Sequence, residues 1–117
     1  MNSESITLYL NHEKIVSDLC QQITKDINED DCVIHLKWST QSAYADLFQQ
    51  IFPVIERLEK TNQSKLNFIL NRTDISEIQL KQAIKKNKSW NNAQIISDLI
   101  IKRELQKVVI RSHFKNI

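Results

Sequence analysis

Apolar positions along this chain fall into two registers, one spaced three and four apart and one alternating. Ile15, Val16, Leu19, Ile23 and Ile27 recur at helical spacing, with Lys14, Asp18, Gln22 and Lys25 facing away, which predicts an amphipathic helix capped by Asn11. A second and more apolar helix follows, capped by Ser39 or Thr40: Tyr44, Leu47, Phe48, Ile51, Ile55 and Leu58 form its stripe, widened by Phe52 and Val54. Pro53 removes one backbone donor from that stripe, so the helix kinks there or restarts with the proline in its first turn. Asp74 with Glu77 makes a capping-box pattern that opens a third helix, Asn91-Asn92 breaks it, and Ile95, Ile96, Leu99 and Ile100 mark a fourth.

The alternating segments read as strands. Ile6, Leu8 and Leu10 alternate with Ser5, Thr7 and Tyr9; Cys32, Ile34, Leu36 and Trp38 with Val33, His35 and Lys37; Leu66, Phe68 and Leu70 with Asn67, Ile69 and Asn71. Val108 to Arg111 supplies a short last strand. Helices that separate strands predict an α/β domain over residues 1–117 with a four-stranded, mostly parallel sheet. Strands covered on both faces would be continuously apolar, so alternation predicts two layers, with helices mainly on one face. Ile69 or Val109 on the open side would then offer a route to a homodimer.

Composition narrows the chemistry. The 117 residues contain no glycine and one proline. Phosphate-cradling loops need glycine for positive φ and close backbone approach, so nucleotide-binding fingerprints and the hydrolase nucleophile elbow are absent. Tight turns fall to asparagine and aspartate, and Asn11, Asn28, Asn62, Asn71, Asn91 and Asn92 stand where turns are wanted. No apolar run approaches the ~18 residues of a membrane span. The first residues have no basic leader, and Cys20 and Cys32 read as reduced, buried thiols, so a cytoplasmic location is expected.

Charge is unevenly distributed. Residues 1–59 hold four basic and ten acidic side chains, whereas residues 60–117 hold twelve and four. Lys81, Lys85 and Lys88 fall at i, i+4 and i+7 on one helix face, with Lys86 nearby, and suit either an acidic protein patch or phosphate. The open sheet face is the second candidate surface, shared by Tyr9, His35, Lys37, Asn67, Asn71, Val109, Arg111 and His113.

Catalytic and metal signals are thin. Asp26-x-Asn28-x-Asp30 begins like a calcium loop, but Asp31 replaces the turn glycine and Lys37 the closing glutamate, so no metal is expected. No spacing assembles a nucleophile, base and orienting group, and neither a catalytic residue nor a cofactor is assigned. His12 and His113 read as surface histidines; a hidden enzyme would need His35 in a pocket beside a carboxylate.

From about residue 32 onward the arrangement resembles STAS-like, SpoIIAA-type domains: a strand ending in tryptophan (Cys32 to Trp38), a long helix, a strand (Leu66 to Leu70), then Asp74-Ile75-Ser76, helices and a strand over Val108 to Ile110. The resemblance implies a small non-catalytic regulator of partner proteins, and makes Ser76 the position that would correspond to a phosphorylated serine, with Glu77 where a glycine is usual. The sequence thus predicts a protein-interaction module of partner-switching or toxin-neutralising type, binding through Lys81, Lys85, Lys88, Tyr9, His35, Lys37 and Arg111. Nucleic-acid binding by the Lys81, Lys85, Lys88 face with Arg103 or Arg111 is the alternative, and a small enzyme without a recognisable motif a third.

Overall fold

The computed structural model describes residues 3–10, 12–36 and 43–115. Six helices account for nearly all of them: α1 (Ser3–Leu10), α2 (Glu13–Ile27), α3 (Ala43–Thr61), α4 (Gln63–Arg72), α5 (Glu77–Lys86) and α6 (Asn92–Lys115). Among the described residues there is no strand, so the α/β expectation is corrected to an all-helical fold. The STAS-like resemblance required a sheet and falls with it.

Three of the four expected strands fail for one physical reason, the helical period. A five-residue window fits both a period of two and a period of three to four, and tertiary burial decides between them. In α4 the buried stripe is Leu66 and Ile69, continued by the C-cap Thr73, with Leu70 half-buried, while Phe68 is 47% exposed. In α1 Ile6 and Leu10 are buried one turn apart and Leu8 is 59% exposed. Val108 continues the buried row Ile101, Leu105 along α6 instead of starting a strand. Residues 32–36 belong to no helix and pair with no strand among the described residues; Lys37 and Trp38 lie outside the described residues. Ile69 is wholly buried and Val109 half-buried against the core, which removes the sheet-mediated dimer.

The central element is α6, which packs most extensively on α3 and α2 and also meets α5 and α1. Its Ile96, Ile100, Ile101, Leu105 and Val108 join Leu19, Ile23 and Ile27 of α2 and Leu47, Ile51, Ile55 and Leu58 of α3 in one core. Pro53 stands inside α3 on its exposed side, so the helix runs through it.

Side chains replace glycine at the helix ends. Asn28 closes α2 in the left-handed region at φ 49°, with its N–H donating to the Thr24 carbonyl. Asp74, at φ 58°, turns the chain after α4, and Ile75 N–H reaches back to the Leu70 carbonyl at 2.9 Å. Asn62 caps α4 through its side chain. The capping box that opens α5 is built by Ser76 and Gln79, two residues beyond the expected Asp74 and Glu77. Asn91 and Gln94 exchange two 2.8 Å backbone–side-chain hydrogen bonds at the start of α6.

Candidate functional site

Two features stand out, a buried cluster of charges where α2, α4 and α6 meet and a basic surface on α5. The cluster begins with two acids in core register. Asp26 continues the buried stripe of α2 beside Ile27, and Glu104 that of α6 beside Leu105; they are 4% and 0% exposed. Lys107, one turn after Glu104, serves both: its Nζ lies 3.3 Å from Glu104 Oε1 and 3.8 Å from Asp26 Oδ2. The same ammonium donates to the Arg72 carbonyl at 2.8 Å and stands 3.5 Å from Asp74 Oδ2, which ties the α4–α5 turn to α6. Arg72 Nη2 comes within 3.5 Å of Asp26 Oδ1, and Gln22 Nε2 donates to Asp26 Oδ2 at 2.7 Å.

Electrostatics separates the two acids. Burial, followed by the hydrogen bond to Asp26 and the Asp26 charge, pushes the Glu104 carboxyl up to about 8, with Lys107 pulling the other way. Burial also penalises charge on Asp26, but the Glu104 and Gln22 hydrogen bonds and the Lys107 and Arg72 charges outweigh it and hold that carboxyl below its usual range. Glu104 Oε2 is sealed from water and meets no donor. An oxygen so placed is less costly neutral than charged, which agrees in direction with the raised value. The cluster is an acid pair clamped by one lysine, and it joins three helices.

The surface feature lies on α5, which contributes no buried residue. Lys81, Lys85 and Lys86 on the helix and Lys88 in the turn after it are exposed, and among the described residues none is paired with a carboxylate. Ile78 is 68% exposed on the same helix. The turn Asn87 to Trp90, closed by a 3.0 Å hydrogen bond from Trp90 N–H to the Asn87 carbonyl, sets Trp90 edge-on to Phe48 with ring centroids 6.2 Å apart. Phe48 and Phe52 stack at 5.8 Å and Tyr44 lies 6.1 Å from Phe48, so an aromatic row runs along α3 at i, i+4 and i+8. The Tyr44 hydroxyl donates to Asp98, whose other oxygen holds Lys102 at 2.8 Å. Burial first, and then Asp98, keep that phenol well above its ordinary range.

The other expected site residues scatter, because the sheet face that was to unite them does not exist. Tyr9 is half-buried on α1, and Arg111 is exposed near the end of α6, where it hydrogen-bonds Gln22 at 2.5 Å. Asn67 and Asn71 are exposed on α4. His35 sits on the non-helical segment 32–36, whose backbone is clasped by Gln50: His35 N–H donates to Oε1 at 3.0 Å and Nε2 donates to the His35 carbonyl at 2.9 Å. His35 lines an open groove of about 970 Å³ with Cys20, Thr24 and Val33, but among the described residues no carboxylate hydrogen-bonds its imidazole. His12 and His113 are exposed. Ser76, exposed, caps α5 through its Oγ, and its expected phosphorylation came only from the resemblance set aside above.

Cys20 and Cys32 are free thiols, both pushed up to about 11, Cys20 by burial and Cys32 by burial and then by Asp31 and Glu29. Among the described residues no group of three metal-ligating side chains converges, and no helix is long and apolar enough to cross a membrane. Sequence reasoning missed the Asp26–Glu104 pair. The available signal was a carboxylate standing at a core position in each of two helical stripes. No protein family, curated protein or solved structure matches the chain.

Proposed function

We propose that this chain is a non-catalytic, cytoplasmic protein-binding module whose basic face, Lys81, Lys85 and Lys88 with Lys86, docks an acidic surface of a partner. One observation carries the reading: α5 holds no fully buried residue, yet presents these lysines without any neutralising carboxylate among the described residues. Uncompensated like charge on a peripheral helix destabilises the isolated fold and favours association with an opposite charge. The free, thiol-form cysteines suit a reducing compartment.

Nucleic acid is the rival for the same face. Ile78 and Trp90 exposed among the lysines, and the absence of arginine from residues 77–90, favour a protein. Phosphate rewards neither exposed aliphatic surface nor the loss of arginine's fork geometry. Amide NMR titrations with polyglutamate and with single-stranded RNA, at low and high salt, test the reading. Polyglutamate should shift the amides of residues 81–88 in a salt-sensitive way, and reversing Lys81, Lys85 and Lys88 to glutamate should abolish the shifts. Binding of RNA in preference to polyglutamate, with a steep salt slope, would overturn it.

A further inference from the structure

Beside the lysines lies an apolar row that the fold leaves open. Trp90 is 38% exposed and rests on Phe48, and Phe48 and Phe52 are each half-buried against the core. Lys88 is two residues from Trp90 within the same closed turn, and Lys85 lies in the last turn of α5 just before it. The row continues along α3 at the same spacing to Glu56, so positive charge flanks the Trp90 end and negative charge the other. The geometry points to a composite docking site, in which Trp90, Phe48 and Phe52 receive a bulky apolar side chain of a partner segment whose adjoining acidic residues pair with Lys85 and Lys88. The occupant is an acidic amphipathic peptide segment. This rests on the protein-binding reading above and adds its anchor.

Charge complementarity selects acidic residues, and ring geometry selects an inserted side chain. The rings of Phe48 and Phe52 face each other with planes only 9° apart, so those faces are spent on one another and not on nucleobases. Half-buried rings do not reach into a bilayer, whereas a partner's leucine or phenylalanine can come to them. Exposed tryptophan is among the residue types that dominate interface energetics.

The test uses the full chain and three probes followed by NMR, with the Trp90 indole N–H signal and the amides of residues 81–88 as reporters. The probes are a synthetic glutamate-rich peptide with leucine and phenylalanine at helical spacing, polyglutamate of equal charge, and vesicles rich in phosphatidylserine. The amphipathic peptide should shift the indole and bind at least about tenfold more tightly than polyglutamate. Trp90→Ala should lose about that tenfold, Trp90→Phe should recover part of it, and K85E with K88E should weaken both peptides. Equal affinity for the two peptides with no loss in Trp90→Ala would overturn the anchor and leave the acidic-partner reading standing. Failure of both peptides would overturn both, and so would a preference for the vesicles.

Discussion

The Lys107 ammonium stands 3.3 Å from the Glu104 carboxyl on its own helix and 3.8 Å from Asp26 across the α2–α6 interface. Arg72 also reaches Asp26, so Glu104 is the acid left with Lys107 alone, a cation it shares with Asp26 and Asp74, and its charge is the costlier of the two to bury. Glu104 is also the more buried of the pair and the one lacking an N–H donor at its second oxygen. The cluster is a structural joint between α2, α4 and α6.

The pH dependence of folding follows with a definite sign. Glu104 keeps its proton in the fold up to about 8, whereas an unfolded chain releases it near the ordinary value of 4.5. Stability from this group is fully present below 4.5, declines as pH rises through the interval to 8 and is level above it. Asp26 works in the opposite direction: its lowered value adds stability above the ordinary 3.8 that is lost as pH falls further. Denaturant unfolding followed from pH 4 to 9 should therefore show a loss of roughly a few kcal/mol across the Glu104 interval, and Glu104→Gln should flatten it. The glutamine amide can still donate to Asp26, so the variant should be at least as stable as wild type at pH 8. A profile unchanged by the substitution would contradict the assignment.

Replacing Lys107 removes the clamp while leaving its methylene packing. Lys107→Met should destabilise the fold by roughly 2–4 kcal/mol, because Asp26 loses one of its two cations while the Arg72 carbonyl loses its donor. Carboxyl carbon NMR should show the Asp26 value rising and the Glu104 value rising further, since Lys107 lowers both. Amide exchange at Ile75, whose N–H closes the α4–α5 turn, should quicken as Asp74 loses its ion pair.

The two long stripes were legible because each repeats over more than three turns. The stripe from Ile15 to Ile27 is α2 and that from Tyr44 to Leu58 is α3, with their deepest residues where the spacing placed them. Short alternations misled. Leu66, Phe68 and Leu70 suggested a strand, although Ile69, assigned to the opposite face, is wholly buried. The glycine count was read for the phosphate loops it excludes, but it also leaves Pro53 as the chain's one strong helix breaker, and that proline is tolerated inside α3. The spacing placed Lys81, Lys85 and Lys88 on one helix face, but α5 ends at Lys86 and Lys88 stands in the turn after it. The aromatic neighbours of these lysines belong to α3 and the α5–α6 turn and meet only through packing. Asp26 and Glu104 come together for the same reason, from α2 and α6.

Left-handed turns without glycine give a last prediction. Asn28 holds φ at 49° as it ends α2, in a region that costs most residues with a Cβ roughly 1 kcal/mol or more but that asparagine tolerates through its short polar side chain. Asn28→Ala should therefore destabilise by about 1 kcal/mol, whereas Asn28→Gly should be neutral or stabilising by a few tenths, its strain relief offset by the freer unfolded chain. Asp74, at φ 58°, should respond differently. Glycine relieves the backbone there too, but removes the carboxylate 3.5 Å from Lys107, so Asp74→Gly should gain less than Asn28→Gly. Paired thermal unfolding of the two glycine variants measures the difference, and in the Lys107→Met background, where that ion pair is already gone, it should shrink.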